Sequence, residues 1–283
     1  MKTVILLLTG CINPNGMPFT QLTDTSERQK QYVDAIHFYI SNTNCNVVFC
    51  ENSNTNISSL INNTNDRLEA LTFPGNQDKQ RGKGYGEAEI IEYALSHSSF
   101  ILEDCIIIKI TGRLFVNNIC QIIDSLKYEE DFVTCLFHSN LKFADSRIFC
   151  GTTTFFKDFL KKKDQINDSE GVFFEHVLAY TVLESSYRFI PFSEEPLISG
   201  ISGSTGEKYQ IHFPNKRTRI LYKCYAWKQL YQINAISSYR HPTQIERLII
   251  NFNILKCKLL LLLIKVSQLL AHMHNLKLNK NRK

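Results

Sequence analysis

Hydrophobic positions in the first half of the chain come in short unbroken runs. Between the runs they recur every three or four residues. Residues 4–8, 47–50, 105–110 and Phe132–Phe137 read as strands covered on both faces, with residues 71–73 a weaker third strand. Asp24, followed three residues later by Glu27, forms a capping-box pattern ahead of a helix that carries Tyr32, Ala35, Ile36, Tyr39 and Ile40 on one face. Residues 87–96 predict a second helix with Ile91, Ala94 and Leu95 inward. Such alternation predicts an α/β fold, a mostly parallel sheet flanked by helices. Sheets of this kind bind ligands at the carboxyl ends of their strands.

The second half is mixed. Residues 155–160 and 172–183 read as helices, 187–190 as a short strand and 199–206 as a glycine- and serine-rich loop. The asparagine-rich stretches 41–46 and 52–65 read as surface loop. From about Arg217 the pattern is helical, with a long last helix after Pro242 that is apolar nearly all round. Its longest run without a polar residue is 259–264, well short of the ~20 residues that span a bilayer. The expected domains are 1–215, divided into a nucleotide half to 115 and an acceptor half after it, and a helical extension over 216–283.

Composition changes this picture in two places. The formal net charge of the 283-residue chain is +5, but after Glu246 there is no acidic residue. Arg247, Lys256, Lys258, Lys265, Lys277, Lys280, Arg282 and Lys283 outweigh that net charge and leave residues 1–246 slightly acidic. A basic tail beside apolar residues predicts contact with an anionic membrane surface or a partner, and the acidic body argues against nucleic acid. The nine cysteines are odd in number and contain no CxxC pair, which predicts reduced thiols and no zinc site. The start of the chain, Met1 to Cys11, has a run too short for an export signal and reads as a buried strand.

Five segments carry candidate chemistry. Gln80-Arg81-Gly82-Lys83-Gly84-Tyr85-Gly86-Glu87 leads glycines and cations into a helix start, where free N–H groups suit a diphosphate. Lys109-Ile110-Thr111-Gly112-Arg113 ends the most apolar strand and sets two cations near one phosphate; a lysine inside such a strand calls for an anion. Glu51-Asn52 follows the second strand, placed to hold a nucleobase or ribose. Asp145-Ser146-Arg147 offers a metal ligand, a sugar contact or a base, or else only an Asp145–Arg147 ion pair. Phe173-Phe174-Glu175-His176 places Glu175 either toward a cleft, as a base with a raised pKa, or on an exposed helix face.

In this order the segments resemble a bacterial glycosyltransferase of the GT-A type, of the kind that builds capsule, O-antigen or lipooligosaccharide. The likeness covers about residues 1–210. It implies a GT-A-like, Rossmann-type domain that moves a sugar from a nucleotide-sugar donor to a hydroxyl of a glycan or lipid-linked glycan. The implied chemistry is hexosyltransferase-like and inverting, at the inner face of the plasma membrane. Glu51 and Asn52 would hold the nucleoside, and Lys83, Gly84, Gly86 and Glu87 the diphosphate and sugar. Lys109, Thr111, Gly112, Arg113 and Arg147 would complete the donor site, and Asp145 or Glu175 would act as base. GT-A enzymes usually hold Mn²⁺ or Mg²⁺ with an Asp-x-Asp motif after the fourth strand. Here that place reads Lys109 to Arg113, which implies metal-independent binding. The competing readings are a nucleotidyltransferase that makes the nucleotide sugar and a non-catalytic scaffold of a polysaccharide assembly complex.

Overall fold

A computed structural model describes residues 2–18, 20–61, 66–126, 130–211 and 213–280, with side chains through 269. Strand β1 (Thr3–Gly10) enters the middle of the sheet. After it come helix α1 (Thr25–Asn42), β2 (Asn46–Glu51), β3 (Leu68–Thr72), α2 (Lys83–His97) and β4 (Cys105–Thr111). β1 pairs in parallel with β2 on one side and β4 on the other, and β2 pairs in parallel with β3. β1 has no free face. Leu6 and Leu8 pack with Tyr32, Ala35, Ile36 and Tyr39 of α1, whereas Ile5 and Leu7 pack with Ala88, Ile91 and Ala94 of α2. Two-residue periodicity with apolar positions on both faces is what writes an unbroken hydrophobic run.

The chain continues through β5 (Phe115–Val116), α3 (Ile119–Ser125), β6 (Phe132–Phe137), β7 (Ala144–Thr152), α4 (Thr153–Leu160), α5 (Phe174–Leu183) and β8 (Arg188–Phe189). The seven-stranded order is β3-β2-β1-β4-β7-β6-β8, and only β7 runs against its neighbours. The α/β expectation is therefore met by a mostly parallel sheet with helices on both faces. Strand β7 is the addition: its alternating Asp145, Ser146, Arg147 segment reads as a motif in the sequence and is the antiparallel strand next to β4. Residues 199–206 are likewise not all loop. β9 (Ile198–Ile201) joins β5 and β10 (Lys208–Tyr209) in a small antiparallel sheet, and the turn 203–205 lies between β9 and β10. Of the asparagine-rich stretch at 52–65, residues 62–65 lie outside the described residues.

Two helices complete the chain, α6 (Lys216–Ile236) and the 37-residue α7 (Gln244–Lys280). α6 docks on the body: Ile233 joins the core beneath α5, and Tyr225 and Gln229 donate to the carbonyl of Phe137 at 2.8 and 2.7 Å. α7 packs on α6 but leaves Leu248, Phe252, Leu255, Leu259, Leu262 and Leu263 exposed. Among the described residues no helix is long and apolar enough to cross a membrane. The described cysteines are all free thiols, most of them buried.

Candidate active site

β1 connects toward β2 on one side, while β4 lies on the other, so the strand order reverses between β1 and β4. The carboxyl ends of these two strands open into a cleft of about 380 Å³. Open α/β sheets bind ligands in such a crevice. Its walls include Thr9, Gly10 and Cys11 from β1 and the loop after it, and Thr111, Arg113 and Leu114 from the end of β4. Asn52, Lys83, Glu87, Asp145, Ser146, Arg147 and Glu175 also line it, and Ile201 to Ser204 and Tyr209 of the small sheet form the facing wall. The cleft thus gathers Asn52, Lys83, Glu87, Thr111, Arg113, Asp145, Arg147 and Glu175 from separate segments of the sequence.

The floor is a polar chain across five elements. Lys109 on β4 is fully buried and its ammonium pairs with Glu87 of α2. The same Glu87 oxygen accepts from Thr9 Oγ1 at 3.0 Å. Lys109 Nζ donates onward to the Ser146 carbonyl at 2.6 Å, and Ser146 Oγ donates to Glu175 Oε1 at 2.6 Å. The anion that a buried lysine demands is therefore supplied by the protein itself. Lys109 organises the floor and does not line the cleft. Burial raises the Glu175 pKa above the ordinary carboxylate range, and the Ser146 hydrogen bond opposes that shift in part.

Asp145 and Arg147 form the ion pair that competed with a catalytic role. Arg147 Nε and Nη2 reach Asp145 Oδ1 and Oδ2 at 3.0 and 2.5 Å, and the guanidinium lies 4.9 Å from the centre of the Tyr209 ring. The pair sits in the cleft wall, so its cation is fixed in position. Arg28, which the sequence reading does not single out, donates Nε to the Cys11 carbonyl at 2.8 Å and Nη1 to the Leu22 carbonyl at 3.0 Å. Arg113 donates Nη1 to the Ile201 carbonyl at 3.0 Å and to Gln31 at 3.3 Å, which ties the small sheet to the cleft. Its Nε is buried with no partner, and so is the Oδ1 of Asn52. Orphaned buried polar atoms are uncommon in proteins, and two of them stand on residues that line one cleft.

The glycine-rich segment is used differently from the expectation. Residues Lys79–Arg81 form one 3-10 turn, Gly82 turns the chain at φ 87°, and α2 begins. At its first turn Asp168 stands where a diphosphate was expected: Gly84 N donates to Asp168 Oδ2 at 3.0 Å. A Cβ on Gly84 would lie 2.8 Å from Asp168 Oδ1 and 3.2 Å from Phe174 Cβ. Gly86 is backed by the Asn76 and Asn52 amides. Gly84 and Gly86 admit protein rather than ligand. Gly112 does the same, since its N–H donates to the Thr9 carbonyl at 2.8 Å and holds the two strand ends together. Lys83 remains in the cleft and donates across it to Ser204 Oγ.

Glu51 is fully buried and closes its own turn, accepting from Ser53 N and Oγ, Thr55 N and Thr72 Oγ1. It does not line the cleft. Four rings follow one another, His138 and Phe143 at 4.8 Å, Phe143 and His176 at 5.3 Å, His176 and Phe173 at 5.4 Å, and the first two of them line the cleft. The described residues contain no group of three or more His, Cys, Asp or Glu placed to hold a metal ion. The donor set does not suit a resident divalent cation either, because each cleft carboxylate is already engaged: Glu87 by Lys109, Asp145 by Arg147 and Glu175 by Ser146.

No protein-family model and no curated protein matches the chain. Among solved structures, HddC from Yersinia pseudotuberculosis is similar over 56% of this chain and 80% of its own, at 12% identity and a TM-score of 0.30. The apo structure of the bifunctional glycosyltransferase WbbM is similar over 68% of this chain and 39% of its own, at 9% identity and a TM-score of 0.35. Likenesses this shallow leave the fold to the coordinates and the function to the chemistry of the cleft.

Proposed function

We propose that this protein is a glycosyltransferase of the GT-A type that moves a sugar from a nucleotide-sugar donor to a hydroxyl of a growing surface glycan. The observation that carries the reading is the cleft at the β1–β4 reversal. Around one space it sets the Asn52 amide, the Arg113 guanidinium and a desolvated carboxylate on Glu175. A nucleoside supplies donors for Asn52, and a diphosphate supplies oxygens for Arg113. The cations Lys83 and Arg147 flank the same space and balance the charge that develops on the leaving diphosphate.

Glu175 is the base. It takes the proton of the acceptor hydroxyl as that oxygen bonds to the anomeric carbon, while the bond from that carbon to the diphosphate oxygen breaks and the nucleoside diphosphate leaves. A single displacement of this kind inverts the anomeric centre. Burial supports the assignment, because a raised pKa gives the carboxylate greater basicity near neutral pH. Asp145 positions Arg147. Residues 1–115 supply the donor wall and 116–215 the acceptor wall, where the rings of His138 and Phe143 offer apolar contact to a sugar. The cations take the place of a metal on the diphosphate. The basic, apolar α7 supports placement at the inner face of the plasma membrane. Turnover of a nucleotide-sugar panel with wild type and Glu175→Gln tests the base: full turnover in the variant would remove it.

A further inference from the structure

A second and larger hollow lies away from the cleft, between α6, α7 and the segment from β8 to Ser193. Its volume of about 1150 Å³ exceeds the ~300–1,000 Å³ usual for small-molecule pockets. Phe189, Pro191 and Phe192 form its bed, and Ile220, Trp227, Leu230, Ile249 and Ile250 its walls. Its cations fall in two groups: Arg188 and Arg240 are engaged near the α6–α7 connection, Arg188 by Glu130 and Arg240 by the Tyr187 and Val182 carbonyls, whereas among the described residues the others are not paired. Lys216, Arg219 and Lys223 also line the groove and form one stripe on the first two turns of α6, three and four residues apart. Lys256 joins them from α7, next to Cys257, which lies close to Cys224. All four cations are exposed, and among the described residues none of them forms an ion pair. The acids of the groove lie toward its hairpin end and are engaged: Glu130 pairs with Arg188 at 3.4 Å, and Glu246 accepts from Thr243 N at 2.8 Å. Glu194 and Glu195 line an adjoining hollow that Arg219 and Lys223 also line, and among the described residues neither carboxylate forms an ion pair with them.

An apolar trough with unpaired cations at one end matches one kind of molecule, an anionic lipid. We propose that the α6–α7 groove takes an anionic phospholipid of the membrane surface. Its phosphate is held by Lys216, Arg219, Lys223 and Lys256, and its acyl chain lies along Trp227, Ile220 and Phe192. This rests on the membrane placement given to α7 and adds a defined site to it; it is independent of the glycosyl-transfer chemistry. Outside the groove α7 leaves Leu255, Leu259, Leu262 and Leu263 exposed as well, a further apolar face on the same helix.

Trp227 is the only tryptophan of the chain, so its fluorescence reports on the groove alone. The full-length protein is titrated with phosphatidylglycerol vesicles, with phosphatidylcholine vesicles, and with both carrying bromine on the acyl chains, while co-sedimentation is read in parallel. The expected result is a blue shift of Trp227 and quenching by brominated phosphatidylglycerol, little effect of phosphatidylcholine, and at least tenfold weaker binding by Lys216→Glu/Lys223→Glu. These exposed positions tolerate the change, which an unaltered melting midpoint verifies. Co-sedimentation without quenching would overturn the groove and leave α7 as the membrane contact. No co-sedimentation would remove both. A light-scattering dimer with Trp227 shielded from bromine would assign the groove to a second copy and also overturn the proposal.

Discussion

Lys109 and Glu87 meet under the cleft, the lysine fully buried on β4 and the glutamate on α2 with one edge toward solvent. Removing one partner of a buried pair costs on the order of 3–5 kcal/mol, because the other charge is stranded. Glu87→Gln strands the ammonium in the sheet and is expected to lose about 3 kcal/mol in urea denaturation. Lys109→Met is expected to lose less, since Glu87 reaches water. The double variant should recover part of both losses. Strictly additive losses would show that the two groups are not coupled.

Glu175 gives a kinetic prediction. Glu175→Gln should lower kcat about 10²–10⁴-fold with donor affinity unchanged. In wild type, kcat/KM should rise with pH along a limb above the ordinary carboxylate pKa, because burial raises that pKa and the base acts deprotonated. Ser146→Ala removes the hydrogen bond that opposes the rise, so the limb should move to higher pH. A limb at the ordinary carboxylate value, or one that moves down in Ser146→Ala, would contradict the role.

Strands and helices of the first half are legible in the sequence because their hydrophobic positions answer to local rules. β1, β2 and β4 are buried on both faces and read as unbroken runs, and α1 shows its capping residue, with Glu27 N donating to Asp24 Oδ1 at 2.9 Å. What is not legible depends on distant residues. Nothing around Gly84 announces that Asp168, on another segment, will cap α2. Lys109 reads as a cation awaiting phosphate because Glu87 is invisible as its partner until α2 crosses β1. β7 is hidden by its polar positions, which face the cleft. Of the eight expected site residues that line the cleft, Asn52, Thr111 and Arg113 stand at or just past strand ends and Lys83, Glu87 and Glu175 lie in the first turns of helices, where the fold exposes polar groups, whereas Asp145 and Arg147 lie near the start of β7. Glu51 sits at such a place too, yet its carboxylate is spent on its own turn.

Asp168 carries a stability prediction. Asp168→Ala removes the acceptor of Gly84 N–H and should cost about 1 kcal/mol. Burial raises the Asp168 pKa, so the native state binds that proton more tightly than the unfolded chain. Its contribution is then complete below the ordinary aspartate pKa of about 3.9 and declines as pH rises through the native value. Asp168→Asn should flatten this part of the stability–pH curve between wild type and variant. An unchanged difference across that window would contradict the assignment.

Metal dependence separates the cation-lined cleft from a metal-centred one. With the cleft carboxylates engaged and Lys83, Arg113 and Arg147 facing the donor space, EDTA should leave turnover within about twofold of the untreated enzyme, whereas Arg147→Gln should lower it by about tenfold or more, the loss of one charge-assisted contact. Loss of turnover in EDTA, restored by Mn²⁺ or Mg²⁺, would reverse this conclusion.

The most direct test is calorimetric or thermal-shift titration with UDP-, GDP-, CMP- and dTDP-sugars, in wild type and in Lys83→Ala, an exposed position whose change should leave the fold intact. The prediction is that one nucleotide class binds and raises the melting midpoint in proportion to the logarithm of its concentration, with affinity at least tenfold weaker in the variant. Absence of binding by every member of the panel, or binding that Lys83→Ala leaves unchanged, would contradict a nucleotide-sugar site in this cleft.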